Sequence, residues 1–386
     1  MKEHTLVTKT KGSDAVTAQG SSSLGEFTST AHALGASQLP ESYFTWPGVL
    51  DRLGRREELS ETQTAWAMAE IMAGRASDTL ISAFSFGLRV KGITAAELAA
   101  AAEAMRSFSE PVNFDDLGPT VDIVGTGGDG HHTVNISTMA AFVIAATGQP
   151  VVKHGNRKAS SQCGGADMLE ALGVDIERTP EQVVADAKAT NFAFLYSKAY
   201  HPAMRFAAPV RSELKVSTLF NLLGPMTNPA RPGYGLIGCA FRDLMPIIGG
   251  AFAHQGSRVL VVRGMDGMDE ISVCAPTDVV TVDANGHTGE EVLNPRALGL
   301  DFYEADALVG GDAEHNADVA RRLFAGEVEG AVKDAVLINA AAALAAVHGW
   351  EEEGLQDTLR REIERAREAL ESGAAQAKLE AVLALK

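Results

Sequence analysis

The sequence predicts an α/β fold, with a small N-terminal all-helical domain beside a larger domain built on a central, mostly parallel sheet. Three observations carry this. From residue 46 to about 106 apolar side chains recur at three- and four-residue steps, with no convincing strand. From about Asn113 short β-branched runs alternate with helical segments, the pattern of crossover helices on a sheet. One of those runs ends in a glycine-rich loop that leads directly into a helix.

The elements follow in order. Residues 1–45 are rich in Ser, Thr, Ala and Gly, and they bury too little apolar surface to offset their ordering entropy, so a disordered extension is expected. A transit peptide is the rival reading, but the segment lacks Arg and holds Glu3, Asp14, Glu26 and Glu41. Residues 46–113 make the helical domain. Ser60-Glu61-Thr62-Gln63 offers a capping signal ahead of Ala67 and Ile71, and Leu80, Ile81, Phe84 and Leu88 mark one face of a second helix. Residues 114–386 make the α/β domain. A strand at 121–124 precedes the glycines, a helix over 137–147 stops at Gly148, and Val151-Val152 opens the next strand. A helix over 167–172 is closed by Gly173. Thr179-Pro180-Glu181-Gln182 combines a capping box with Pro at the first helical position. Strands are expected at 192–196, 234–240, 258–262 and 271–273, a hairpin around Asn285-Gly286, and helices after about Ala317.

Composition narrows the function. The 386 residues carry a net charge of −17, from 50 acidic and 33 basic side chains. Such a field repels polynucleotides and anionic membranes, so neither is an expected partner. A small anionic substrate needs a local cluster of donors instead. Cys163, Cys239 and Cys274 are far apart, which suits reduced thiols and neither a disulfide framework nor a zinc site. No apolar core follows the first lysines as a secretory signal requires. The most apolar stretch, 335–347, is interrupted by Asn339 and is too short to cross a bilayer. A soluble, cytoplasmic protein is expected.

The most informative segment is Gly125-Thr126-Gly127-Gly128-Asp129-Gly130, followed by His131-His132-Thr133-Val134-Asn135-Ile136-Ser137-Thr138. Glycines between a strand and a helix let the backbone approach a ligand, and the helix start offers free N–H groups to an anion. Asn135, Ser137 and Thr138 add side-chain donors. A tight turn without a ligand is the plainer alternative, but four glycines in six residues exceed what a turn requires. Gly125, Gly127 and Gly130 also satisfy the dinucleotide fingerprint G-x-G-x-x-G. That fold wants an acid at the end of the next strand, and Lys153-His154-Gly155-Asn156-Arg157 stands there, so only an NADP enzyme is left as the rival. No Gly-Lys-Ser/Thr follows the glycines, which excludes a P-loop.

Taken in order, Gly125-Thr126-Gly127-Gly128-Asp129, Asn135-Ile136-Ser137-Thr138 and Lys153-His154-Gly155-Asn156-Arg157 resemble the anthranilate phosphoribosyltransferase family. The likeness continues through Gly164-Gly165-Ala166-Asp167, Tyr200-His201-Pro202-Ala203-Met204, Val210-Arg211, Asn221, Leu223-Gly224-Pro225, Asn228-Pro229 and residues 264–272. It implies a nucleoside phosphorylase/phosphoribosyltransferase-type fold, whose helical domain is completed by helices from about 201–222. Thymidine and pyrimidine nucleoside phosphorylases are similar in fold but differ in the glycine loop and the lysine motif. The resemblance also implies a homodimer joined through the helical domain. The activity implied is transfer of the phosphoribosyl group from phosphoribosyl pyrophosphate to the amine of anthranilate, with Mg²⁺, in tryptophan biosynthesis.

Residue roles follow from the same resemblance. Phosphoribosyl pyrophosphate is expected on Gly125, Gly128, Asp129, Thr133, Asn135, Ile136, Ser137 and Thr138, and on Lys153, His154, Gly155, Asn156, Arg157, Lys158, Ala159, Ser160 and Ser161. Anthranilate is expected on Gly125, Asn156 and Arg211, the last binding its carboxylate. Asp269 and Glu270 are the carboxylates for Mg²⁺, with Ser137 contributing to a second ion. No residue is needed as an essential general base, because an arylamine is already a neutral nucleophile. For Arg211 a surface ion pair is the bland alternative, and for Asp269-Glu270 a solvated turn. His154 and His201 either face the site or satisfy core hydrogen bonds. The chain departs from the family pattern at Gly165, where many members have Ser, at Ser197-Lys198 and at Arg263. A non-enzymatic relative that binds nucleic acid would show a basic surface and a degraded metal pair, and this chain shows neither.

Overall fold

Ser60 and Thr94 each accept a hydrogen bond from the backbone N–H three residues on, while the Gln63 and Glu97 side chains reach back. These reciprocal caps set the starts of two of the four helices that open the described chain: α1 (Trp46–Gly54), α2 (Glu61–Met72), α3 (Asp78–Lys91) and α4 (Ala95–Arg106). The computed structural model describes residues 44–158 and 162–385. The expected extension therefore lies outside the described residues, except at Phe44 and Thr45, which belong to the body. There the expectation is corrected: the Thr45 side chain accepts from Gly48 N–H at 3.2 Å and caps α1.

The strands are β1 (Val121–Gly125), β2 (Val151–Gly155), β3 (Phe192–Tyr196), β4 (Tyr234–Gly238), β5 (Arg258–Gly264), β6 (Thr277–Val282) and β7 (Thr288–Leu293). Among the described residues they form one sheet, in the order β3-β2-β1-β4-β5-β6-β7. The first five in that order run parallel, and β6 and β7 are antiparallel additions at one edge. Connections run outward from β1 to β3 and then return to the other side of β1 at β4. The strand order therefore switches between β1 and β4, the place where open α/β sheets build their crevice.

Helices α5 (Ile136–Ala146), α6 (Gly165–Leu172), α7 (Pro180–Thr190), α8 (Ser197–Tyr200), α9 (Ala208–Leu214), α10 (Leu219–Leu222) and α11 (Met245–His254) connect the strands. The chain ends in α12 (Ala313–Phe324), α13 (Ala331–His348), α14 (Leu355–Glu371) and α15 (Ala374–Leu383). The caps at Gly173 and at Thr179-Pro180 appear where the sequence placed them. Helices α9 and α10 pack on α3. One apolar cluster runs from Leu53, Ile71 and Phe84 through α11 to Ile237, Val259 and Val261 on the sheet.

Three expectations are corrected. Residues 271–273 are not a strand, because Asn339 on α13 occupies the backbone of Ile271, accepting from its N–H at 2.9 Å and donating to its C=O at 2.9 Å. The hairpin at Asn285-Gly286 exists, but its loop spans 283–287 and only Gly286 has a positive φ, of 78°. A primed two-residue turn needs φ > 0 at both centres; here the Asp283 carboxylate holds the loop by accepting from Asn285 and His287 N–H. The apolar stretch at 335–347 is part of an 18-residue helix, long and apolar enough by length and composition to cross a membrane. In the fold 78% of that window is buried, with α13 packed between α5, α14 and the strands β1, β4 and β5, so its apolarity is accounted for as core.

Candidate active site

The glycine loop leaves β1 at the switch point, and its geometry follows from two glycines that face each other. Gly125 ends β1 opposite Gly238, which ends β4. A Cβ on Gly125 would collide with the Asp269 carboxylate, and one on Gly238 would lie 2.7 Å from the Asp269 carbonyl carbon and closer still to its oxygen. The space without side chains at the two strand ends is therefore filled by Asp269. Gly127, Gly128 and Gly130 have φ of 67°, 87° and 76°, a left-handed run that other residues adopt only under strain. That run turns Gly127 N–H onto Asp269 Oδ2 at 2.7 Å. Asp129 closes the loop from the other side, accepting from Asp269 N–H at 3.4 Å and from His131 N–H at 3.3 Å.

Asp269 and Glu270 follow β5, on the loop held by Asn339. Burial, and then the neighbouring Asp129 carboxylate, pushes the proton affinity of Asp269 up. For Glu270 the causes are burial and then Asp269, against which Lys153 and the Ser137 N–H act. This is a crowd of negative groups that Lys153 offsets only in part. Among the described residues no three His, Cys, Asp or Glu side chains converge into a cage for a metal. Mg²⁺ does not need one: it takes one or two carboxylates and completes its shell with water and substrate phosphate. The donor set fits that ion.

Helix α5 starts at the same place. Asn135 makes no side-chain cap; Ile136 N–H donates to Val134 C=O at 2.7 Å and Thr138 N–H to Asn135 C=O at 3.1 Å, so the side chains of Ser137 and Lys153 are the donors at this end. Lys153, 3% exposed, donates to Ile123 C=O and reaches Ser137 Oγ at 3.3 Å. Burial lowers its proton affinity, and the opposing carboxylates of Asp122 and Glu270 hold it up.

The structure thus brings Gly125, Gly127, Asp129, Ser137, Lys153, Asp269 and Glu270 together. Other expected residues stand differently. Asn135 is clamped, donating to Cys163 C=O at 3.2 Å and accepting from Asn316 Nδ2 at 2.8 Å. Thr138, 1% exposed, lies behind Gly165, where a Cβ would meet its Oγ1 at 2.8 Å. Ile136 is core, and Thr133 pairs with Val309 across an isolated bridge. Gly128 is exposed on the loop, and Gly155 lies against the Phe194 ring, where a Cβ would meet it at 2.8 Å. His154 is a satisfied core group: Nδ1 faces Gly224 C=O at 3.1 Å, Nε2 faces Ser197 Oγ at 3.0 Å, and burial pushes its pKa down to about 3. His201 packs edge-on against it, with its pKa lowered to about 4 by burial.

Asn156 is exposed and accepts from Arg157 N–H at 2.8 Å. The Arg157 guanidinium turns to Glu170 in a paired contact of 3.0 and 2.7 Å and lies over the Tyr196 ring. Lys158 is tied through its N–H to Asp167 at 2.8 Å, and Ala159, Ser160 and Ser161 lie outside the described residues. Arg211, exposed on α9, makes no side-chain hydrogen bond or ion pair among the described residues, so the surface ion pair considered for it is absent. Asn316, Asn339 and Asp122 carry site geometry that the sequence reading did not find. Each is a buried polar residue inside a core element, and that is the one signal that marks them.

Comparison with known proteins identifies the family. The family described as "Glycosyl transferase family, a/b domain" matches residues 117–376, and the one described as "Glycosyl transferase family, helical bundle domain" matches residues 47–109. Anthranilate phosphoribosyltransferase of Corynebacterium jeikeium (strain K411) is 72% identical over 346 residues, 90% of this chain and 94% of that protein. The crystal structure of anthranilate phosphoribosyltransferase (TrpD) from Thermus thermophilus superposes with a TM-score of 0.81 at 40% identity, covering 87% of this chain and 98% of that one. The Saccharomyces cerevisiae enzyme in complex with PRPP and Mg gives 0.79 at 27% identity, covering 88% and 96%. With a helical lobe, a mostly parallel sheet and a phosphate-type loop meeting two carboxylates at the switch point, this chain belongs to the anthranilate phosphoribosyltransferase family.

Proposed function

We propose that the cleft between β1 and β4 transfers the phosphoribosyl group from phosphoribosyl pyrophosphate to anthranilate, giving N-(5-phosphoribosyl)anthranilate and pyrophosphate for tryptophan biosynthesis. The observation that carries the reading is the convergence of Gly127 N–H, Ser137, Lys153, Asp269 and Glu270 on one point. The amine nitrogen bonds to C1 of the ribose, the bond from C1 to the pyrophosphate oxygen breaks with its electron pair, and the nitrogen then releases a proton. Lys153 stabilises charge that grows on the leaving group. Mg²⁺, held by Asp269 and Glu270 and with a second ion at Ser137, supplies Lewis-acid neutralisation of the phosphate oxygens. Gly125 and Asn156 line the path to anthranilate, and Arg211 takes its carboxylate. An assay of purified protein with Mg²⁺, phosphoribosyl pyrophosphate and anthranilate tests the whole. Pyrophosphate release without anthranilate consumption overturns it.

Arg211 has no side-chain partner among the described residues, so a carboxylate would complete it with charge-assisted hydrogen bonds. Arg211→Ala will weaken anthranilate use by roughly ten- to a hundredfold and leave phosphoribosyl pyrophosphate affinity nearly unchanged. Arg211→Lys will recover only part of the loss, since an ammonium lacks two parallel donors. Titration calorimetry on both substrates decides this; equal losses would make Arg211 a phosphate ligand.

The lobes divide at 46–113, completed by helices from 201–222, and 114–386, and the matches at 47–109 and 117–376 support that division. The chain assembles as a homodimer through the helical lobe. Phe86 and Val90, one turn apart on α3, are 49% and 52% exposed and support an apolar contact there. Phe86→Asp will shift the sedimentation coefficient from dimer to monomer, and an unchanged value removes α3 from the interface. The free thiols of Cys239 and Cys274 support a cytoplasmic setting.

A further inference from the structure

Strands β1 and β2 pair at a single position, Val121↔Val151, whereas β2 and β3 share five and β1 and β4 share five. Carried on in register, that pair would join Ile123 N–H to Val152 C=O and His154 N–H to Ile123 C=O. That second pair does not form, and the ladder ends at Val121. The four ladder groups find side chains instead. Asn228 Nδ2 donates to Val152 C=O at 2.7 Å and to Asp122 Oδ2 at 2.8 Å. His154 N–H donates to Asp122 Oδ1 at 3.3 Å, and Ile123 N–H also donates to that carboxylate. Ile123 C=O takes the Lys153 ammonium.

Asp122 and Asn228, each 2% exposed, make no hydrogen bond to a side chain given a substrate role under Proposed function, and a buried carboxylate is a costly way to fill a sheet. Their arrangement makes sense through Lys153. A continued ladder would give Ile123 C=O to His154 N–H, in competition with the ammonium for that acceptor. With the ladder opened, Lys153 passes from the middle of β2 to Ser137 Oγ.

We propose that Asp122 and Asn228 are positioning residues that hold β1 and β2 apart so that Lys153 reaches the pyrophosphate of the substrate. The inference rests on the reading of Lys153 given under Proposed function. Asp122→Asn puts an amide N–H₂ or a single acceptor where the carboxylate now accepts from two backbone N–H groups and the Asn228 amide. The KM for phosphoribosyl pyrophosphate will rise about ten- to a hundredfold, while the KM for anthranilate changes less than about threefold. Asn228→Ser, which withdraws the donor from Val152 C=O and Asp122, will give the same split, and it carries the test if Asp122→Asn does not fold.

Lys153→Met supplies the third arm. In that background Asp122→Asn will add less than about a threefold further loss, because the aspartate acts through the lysine. Fully additive effects overturn the proposal, as do equal losses on both substrates or an unchanged KM in folded variants. If Lys153→Met alone leaves phosphoribosyl pyrophosphate use intact, the assignment of Lys153 falls, and this inference with it. If Lys153→Met is impaired and neither Asp122→Asn nor Asn228→Ser is, only the positioning role falls.

Discussion

Asp269→Asn combined with Glu270→Gln will lower Mg²⁺-dependent turnover by at least about a thousandfold while the protein stays folded. The amides keep the volume of the carboxyls, and Asn Oδ1 can still accept from Gly127 N–H, so the loop retains its tie. What disappears is charge. In the metal-free protein both carboxyls bind protons more tightly than usual, because burial and the neighbouring Asp129 oppose their ionisation. A carboxyl with raised folded-state pKa stabilises the fold below its unfolded value, and that contribution is lost as pH rises through the raised range. The metal-free wild type will therefore lose thermal stability between mildly acidic and alkaline pH, and the double variant will flatten this slope. Mg²⁺ added at millimolar concentration will raise the unfolding temperature of the wild type and not that of the variant. Full activity in the variant, or an equal Mg²⁺ response, removes the pair from the site.

Gly238→Ala will come next in severity, although the residue makes no contact with a substrate. Its Cβ would enter the backbone of Asp269, which has no freedom to retreat, because Ile271 is held on both sides by Asn339. Overpacking of this kind costs about 1–3 kcal/mol of stability. The displaced carboxylate should cost about a hundredfold or more in kcat/KM, since ångström-scale misplacement of a catalytic group is expensive. Gly233→Ala is the control. It lies five residues earlier in open space, with no atom within 4 Å of the added carbon, and should behave as wild type. Equal behaviour of the two variants in kinetics would mean that the Gly125–Gly238 gap does not place Asp269.

Motif order made the family readable, and the local signals were dependable where one element alone decides its geometry. The capping boxes at Ser60 and Thr179 and the stop at Gly173 appear where expected, because a cap is a contact between residues three or four apart. Residues 271–273 failed for the opposite reason. Their β-branched pattern suits a strand, but the partner that claims Ile271 is a side chain 68 residues away on α13. Asn285-Gly286 failed in detail for a similar reason, since Asp283 overrode the two-residue turn.

Contiguous residues were enough for the α/β class, the helical lobe, the glycine loop and the carboxylate pair, since the chemistry of each is local. How these parts meet came from tertiary contacts alone. Gly125 and Gly238 face each other across β1 and β4, and Asn135 is clamped between Asn316 and Cys163 C=O. His154 is a core group, and Arg157 is taken by Glu170 and Tyr196. Asn339, which reads in sequence as a flaw in an apolar helix, is fully buried and clamps the loop that carries Glu270. One cause is common to all of these. A buried polar group must find a partner, and in a parallel sheet with long crossovers that partner comes from far along the chain.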